Sequence, residues 1–434
     1  MEQILISVFL IVALLAVLAC GLWIGFGLMA VGWVAMMLFT ARPVGDAMVT
    51  TIWGASSSWT LTSLPMFIWM GEILFRTKLS ESMFLGLSPW MQRLPGRLLH
   101  TNIVGCTIFA AISGSSAATC ATIGKMTIPE LRKRGYPEDK IVGTLAGAGT
   151  LGLLIPPSII MIVYGVAADQ SIAQLFIAGV IPGLMLSAMF MAYVIVWAVL
   201  NPDRVPKPDA VIGLWEKIYA ARHLIPAIFL IVVVLGSIYA GIATATEAAA
   251  MGVVGALLLS GVQGSLTREA FVASLLGATR LSCMIALILA GAAFLTLAMG
   301  YTGLPRHLAE WISSLGLSPY ALIAVLTLFY VVLGCFLDGI SMVVLTMAVV
   351  LPMIERAGID LVWFGIFVVL VVEMAQITPP VGFNLFVLQG MTGHQITYIG
   401  RATTPLFLLM VAAVAAITIW PEIVTFLPKR MLRG

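Results

Sequence analysis

Three runs of the 434-residue chain, Ile4–Leu18, Leu224–Tyr239 and Ala321–Phe336, are almost wholly apolar. Each approaches the roughly 20 residues that a helix needs to cross a bilayer. In hydrocarbon every backbone N–H and C=O must find its partner within the protein, which leaves helices and closed barrels as the only spanning structures. A barrel would show segments of roughly 10 residues alternating polar and apolar, and this sequence has none. Composition agrees: 61% of residues are hydrophobic and 9% charged, against roughly a quarter charged in soluble domains, and the mean hydropathy is +1.10. The fold class expected is an all-α polytopic membrane protein. The apolar character continues from residue 4 through Gly21 to Phe39 with no basic start, so two helices meeting near Gly21 are expected there, not a removable signal.

Ten crossings are expected, near 4–20, 22–39, 58–75, 141–166, 174–199, 224–241, 246–263, 281–299, 361–388 and 402–420. Two further apolar segments, about 101–124 and 320–350, are interrupted by Gly, Ser or Asp and are read as re-entrant hairpins. On that scheme sixteen of the 22 Lys and Arg residues, from Arg76 to Arg280 and Arg401, share one side. Arg42, Arg306, Arg356, Lys429, Arg430 and Arg433 share the other. The richer side is cytoplasmic by the positive-inside rule, which puts both termini outside. Full crossings at the two broken segments would erase the bias. "SESMFLGLSPWMQRLPGRLLH" (80–100) and "TREAFVASLLGATR" (267–280) mix Leu and Phe with Arg and are expected to lie as amphipathic helices at the headgroups.

A shift of 223 residues superposes Pro129 on Pro352, Gly135 on Gly358, Pro156-Pro157 on Pro379-Pro380 and Pro182 on Pro405, without a gap. "GLSPW" (86–90) and "GLSPY" (316–320) are looser echoes. Proline fixes backbone geometry, so shared prolines over divergent side chains indicate a shared fold. The chain therefore divides into two copies, 1–222 and 223–434, each of about five crossings and one hairpin. An odd number of crossings turns the second copy upside down. Inverted repeats with broken helices at the midplane are a transporter architecture.

The breaks carry the chemistry. In "GTLGLLIPPSI" (149–159), Pro156 and Pro157 leave the carbonyls of Gly152 and Leu153 without helical donors. In "EMAQITPPVGFN" (373–384), Pro379 and Pro380 do the same to Ala375 and Gln376. Such groups persist in a membrane only when buried in protein or lining a wet cavity, and as hard oxygen dipoles they suit Na⁺. The tips "ISGSSAATCATIG" (112–124) and "CFLDGIS" (335–341) are expected to face the two breaks, the second opposite Thr378, Gly382 and Asn384. Half-helix N-termini there favour a carboxylate. Asp338, Glu373 and Glu247 are the acids expected in the membrane zone. Asp338 has three open roles: cation ligand, proton carrier, or hydrogen-bonder at the tip. Glu247 either caps a helix after Thr244 or Thr246 or takes part in transport.

Other classes fit poorly. "GKM" at 124–126 lacks the rest of a P-loop, and "GSSAA" lacks the second glycine of a GxSxG elbow, so the chain is not expected to be an enzyme. Cys20, Cys106, Cys120, Cys283 and Cys335 stand alone, the four histidines form no HExxH, and no metal other than Na⁺ is expected. An ion or anion channel remains the alternative, because hydroxyls and carbonyls also build filters.

"GSSAAT", "LGLLIPPSIIMIVYG", "LFIAGVIPGL", "GIATATEAAAMG", "CFLDGISMVVLTMAVVLPMIERAGID" and "ITPPVGFNLFV" together resemble the large membrane subunit of tripartite ATP-independent periplasmic (TRAP) transporters, the DctM-like family. The resemblance runs along nearly the whole chain, departing at Ala245, where the family usually has Pro. It implies a multi-pass protein of the bacterial inner membrane importing organic acids such as C4-dicarboxylates or sialic acid by Na⁺ coupling. An elevator movement of a transport domain against a scaffold is implied too, without a cofactor. The implied partners are a small four-helix (DctQ-like) membrane subunit and a periplasmic substrate-binding (DctP-like) protein. Nucleic acid is not among them. Carried onto this sequence, the cation ligands fall at Ser113, Gly114, Ser115, Ser116 and Thr119 with Gly149, Thr150 and Gly152, and at Asp338 and Gly339 with Met374 and Thr378. Substrate contacts are expected at Ser116, Pro156, Pro157, Pro379, Gly382 and Asn384.

Overall fold

A computed structural model describes residues 22–77, 79–207, 213–303, 318–380 and 382–431, with isolated positions at 12, 13, 16, 17, 307 and 310. Apart from those isolated positions, the expected crossing at 4–20 lies outside the described residues, as do the first residues of "GLSPY" and Lys78, Arg306 and Arg433. Among the described residues the chain is helical, without strands. Six helices have the length and composition of crossings: Ile172–Leu200, Leu214–Tyr239, Ala245–Val262, Arg268–Thr302, Gly339–Arg356 and Ile396–Ile419. Large apolar side chains that a soluble protein would bury, among them Trp23, Trp53, Val262 and Leu200, face outward, as a lipid-solvated surface requires.

The 223-residue register seen in the prolines reappears in the helices. Ser116–Lys133 and Gly339–Arg356 are both 18 residues long, begin 223 residues apart, and carry Pro129 and Pro352 inside. Glu138 and Leu361 begin the next helices at the same offset. Pro182 and Pro405 lie inside Ile172–Leu200 and Ile396–Ile419, and Gly135 and Gly358 both take positive φ, 79° and 67°. Each copy therefore runs hairpin, broken helix, long helix.

Both hairpins double back. Leu99–Ser113 and Ser116–Lys133 meet at Gly114, whose left-handed φ of 61° turns the chain, and Ser115 caps the second arm. In the other copy, Pro319–Leu333 and Gly339–Arg356 flank a turn capped by Asp338. Tyr330 Oη lies 2.7 Å from Thr346 Oγ1, so the arms touch eight residues either side of Asp338. Gly339–Arg356 has by itself the length and composition of a crossing.

The first broken helix runs Glu138–Gly149 and Leu151–Leu154, then resumes at Ile159–Ala167 after a 41° bend. The second runs Leu361–Gln376 and resumes at Phe383–Thr392. Both Pro-Pro bonds are cis. These five elements and the two hairpins pack with Ile172–Leu200 and Ile396–Ile419 into one group. Small residues allow that packing: a Cβ on Gly143 would fall 2.4 Å from the Ala402 carbonyl, and one on Gly147 2.2 Å from Leu406. A second group comprises Ile24–Phe39, Val44–Ser56, Ser63–Phe75, Ile225–Tyr239, Ala245–Val262 and Arg268–Thr302. Gly25 and Gly291 let its helices approach, the Gly291 Cβ position lying 2.5 Å from the Gly25 carbonyl.

Two expectations need correction. The segment 267–280 is no separate surface helix. It is the start of the 35-residue helix Arg268–Thr302, about 52 Å long, because no proline interrupts its hydrogen-bond ladder. Val44–Ser56 is a helix that the crossings omitted, signalled by Pro43 before it and Asp46 in its first turn. The amphipathic segment 80–100 does begin with a helix, Leu79–Met91, whose Trp90 Nε1 donates to the Lys217 carbonyl at 3.2 Å.

Candidate ion and substrate site

Each tip sits against the break of its own copy, and glycine makes the approach possible. A Cβ on Gly152 would lie 2.6 Å from the Ser115 carbonyl oxygen and 2.7 Å from Thr119 Oγ1. A Cβ on Gly114 would lie 2.8 Å from the Pro157 carbonyl oxygen. Ile159 N–H donates to the Gly114 carbonyl at 3.4 Å, stitching tip to break. In the other copy the Gly339 Cβ position falls 2.5 Å from Val372 and 3.3 Å from Gln376 Nε2, and that of Gly334 2.1 Å from Ala375.

The first expected cation set is brought together. Ser113 Oγ and Thr119 Oγ1 are 2.7 Å apart, Ser115 caps its helix by accepting from Ala118 N–H, and Ser116 Oγ lies 3.3 Å from the Thr150 carbonyl oxygen. Gly149 stands at the edge of the cluster, against Cys120 and Asn384. Among the described residues no donor meets the carbonyls of Gly152 and Leu153, as their place before Pro156 and Pro157 predicts. These oxygens and the buried, unpartnered Asn384 Oδ1 are the kind of donor that Na⁺ takes.

The second break, beside the second expected cation set of Asp338, Gly339, Met374 and Thr378, differs from expectation at one carbonyl. Ala375 is not freed by Pro379, because the chain tightens and Thr378 N–H donates to it at 3.2 Å. The Met374 carbonyl accepts from Ile377 N–H at 3.2 Å and from Thr378 Oγ1 at 2.7 Å. Asp338 is exposed and accepts from Ile340 and Ser341 N–H, at 3.1 and 3.3 Å, and from the Ser341 hydroxyl. Of its three roles, hydrogen-bonding at the tip is thus present in the structure. Glu247 takes its plainer role: Thr244 and Glu247 form an exposed capping box, with Thr244 N–H and Oγ1 donating to the carboxylate at 2.8 Å.

A cavity of about 1060 Å³ opens where both tips converge. Ser115 and Ser116 line it from the first tip, Asp338 to Ser341 from the second, Leu153, Ile159 and Ile160 from the first break, and Gln376 and Phe383 from the second. Arg280 and its neighbours on the 35-residue helix, with residues 22–25, close the opposite wall. Of the expected substrate contacts, Ser116 lines this space. Pro156 and Pro157 are buried behind it, Gly382 packs against Gln376 and Thr378, Pro379 is exposed elsewhere, and Asn384 is fully buried with Nδ2 3.4 Å from the Ala146 carbonyl oxygen.

Two charged residues of the site were absent from the expected sets. Arg280, assigned to a cytoplasmic loop, is the basic residue of the cavity lining. Glu373, noted as an acid in the membrane zone but given no role, is fully buried. It accepts from Ser116 Oγ at 2.8 Å on both carboxylate oxygens and from Leu153 N–H at 2.8 Å. The signal was available: Glu373 is the lone acid in the apolar run 361–376.

Comparison with known proteins places this arrangement. Residues 11–423 match the family model described as the DctM component of the tripartite ATP-independent periplasmic transporter. The C4-dicarboxylate TRAP transporter large permease protein DctM of Pseudomonas aeruginosa is 31% identical over 399 residues, covering 92% of each chain. The sialic acid large permease SiaM of Vibrio cholerae is 27% identical, covering 96% of this chain and 97% of that one. The YdaH transporter of Alcanivorax borkumensis shares the fold with a TM-score of 0.65 at 15% identity, over 94% of this chain and 98% of that one. With its helices, paired breaks and converging tips, the chain belongs to the DctM family and is the large permease subunit of a TRAP transporter, a membrane transport protein and not an enzyme.

Proposed function

We propose that this subunit imports an organic acid, a C4-dicarboxylate, sialic acid or a related carboxylate, by Na⁺ coupling and an elevator movement. The observation that carries the reading is the convergence of both tips and both breaks on one cavity of about 1060 Å³. Na⁺ is held by the oxygen clusters between tips and breaks, and the acid occupies the cavity beside Ser116, Asp338 and Arg280. Inverted copies give the site two equivalent halves. The hairpins and broken helices pack into one group that meets the second group mainly where Leu99–Ser113 lies on Ser63–Phe75 and Gly339–Arg356 on Arg268–Thr302, a division that supports a mobile body and a scaffold. On the topology read from the basic residues, residues 22–25 lie at the cytoplasmic end of Ile24–Phe39, so the cavity is open inward. A small four-helix membrane subunit and a periplasmic binding protein complete the system in a bacterial inner membrane, as the word tripartite in the family description suggests.

The energetics suffice. One net charge moved inward across 100 mV supplies about 2.3 kcal/mol, roughly fifty-fold accumulation at about 1.4 kcal/mol per tenfold. The test reconstitutes the chain with its small subunit and binding protein in proteoliposomes and compares initial rates of succinate and sialic acid uptake in NaCl and in choline chloride. Uptake of an acid in NaCl alone is expected. Equal rates in both salts refute sodium coupling.

A further inference from the structure

Glu373 is an acid in a place that the fold does not require to be acidic. It is fully buried, and among the described residues no Lys, Arg or His forms an ion pair with it. Its hydrogen bonds all come from the other copy: Ser116 on the first tip and Leu153 beside the first break. At the 223-residue offset its counterpart is Thr150, whose hydroxyl bonds within its own helix to the Gly147 carbonyl at 2.6 Å. One copy thus builds this position with a neutral side chain and the other with a carboxylate aimed across the pseudosymmetric interface. Two hydrogen bonds do not neutralise a buried charge, which needs a cation or a proton.

Oxygens that suit a cation surround it. Thr150 O lies 3.3 Å from the same Ser116 Oγ that meets the carboxylate, and Ser115 O and Thr119 Oγ1 converge on Gly152, the residue before Leu153. Resting on the sodium-coupled reading, we propose that Glu373 supplies the fixed negative charge of the cation site between the first tip and the first break. The ion is then held by a carboxylate from the second copy as well as by the dipoles of the first. Two consequences follow. The bound ion ties both copies together at the point where they must move as one body. It also sets an order: Ser116 and Leu153 line the cavity, so a carboxylate substrate entering first meets the Glu373 charge, whereas one entering after the ion meets a neutral site.

The test uses the chain co-purified with its small subunit and needs no substrate. Thermal unfolding is followed as NaCl replaces choline chloride at constant ionic strength. Wild type is expected to show a saturable Na⁺-specific rise in unfolding temperature. Glu373→Gln, nearly isosteric with a protonated acid, is expected to raise the half-saturating Na⁺ concentration at least tenfold, which is about 1.4 kcal/mol. If Glu373→Gln does not fold, Glu373→Asp is expected to shift half-saturation in the same direction. Unchanged half-saturation in the variant that folds overturns the proposal and makes Glu373 a structural hydrogen-bonder. No Na⁺-specific stabilisation in wild type overturns the sodium reading itself.

Discussion

Gly152→Ala adds one methyl group where the first tip meets the first break. The new Cβ would stand 2.6 Å from the Ser115 carbonyl oxygen, against 3.4 Å for an ordinary contact, so the tip must retreat by about 0.8 Å. The contact atoms are backbone on one side and the packed Thr119 hydroxyl on the other, so no flexible side chain can absorb the difference. Ligand distances in working ion sites hold to about 0.2 Å, and the displacement is several times larger. The packing cost is about 1–3 kcal/mol, which a chain buried this extensively should survive. The expected outcome is a properly inserted protein whose Na⁺-driven uptake in proteoliposomes needs at least about tenfold more Na⁺, equivalent to about 1.4 kcal/mol. Gly390→Ala is the control, since its Cβ would meet nothing within 4 Å, and it should leave the Na⁺ dependence intact. Wild-type Na⁺ dependence in Gly152→Ala would refute the idea that the tip and break form the ion site.

Four further outcomes are expected. Ser115→Ala with Ser116→Ala weakens Na⁺-dependent uptake without loss of insertion, and unchanged sodium affinity would count against the hydroxyls. Asp338→Asn keeps a capping side chain, whereas Asp338→Ala loses about 1 kcal/mol of helix stability; if Asp338→Asn retains both Na⁺ dependence and the wild-type pH dependence of uptake, proton carriage by Asp338 is excluded. Arg280→Gln raises the KM for the transported acid while the half-saturating Na⁺ concentration stays put, and an unaltered KM removes Arg280 from the substrate site. Glu247→Gln preserves the capping box and leaves uptake unchanged, so a transport defect there would mean that the residue does more than cap.

Much of this was legible because proline fixes the backbone and glycine alone readily takes left-handed turns, whatever surrounds them. The coincidence of Pro129 with Pro352 and of Pro182 with Pro405 foretold pairs of helices that carry proline at matching places. Gly114 and Asp338 marked the tips because a left-handed turn and a helix cap each have a short residue menu. What stayed hidden depends on three-dimensional neighbours. Proline says which carbonyl loses its helical donor but not whether the chain tightens to supply another, and Ala375 found one in Thr378. The reach of Glu373 to Ser116 spans 257 positions, which no local pattern encodes. Arg280 belongs equally to a loop end and a cavity wall until the tips are placed opposite it. The run 267–299 was divided at Arg280, whereas the helix continues through it because a charged side chain does not interrupt the backbone bonds of its helix.

The most direct test of ion coupling at the paired breaks is the steady-state ratio of internal to external acid in proteoliposomes holding the complete transporter under an inward Na⁺ gradient. The ratio should rise well above one, climb as the gradient is steepened, and collapse when a sodium ionophore is added. A ratio that settles at one, or one that ignores the ionophore, would contradict it.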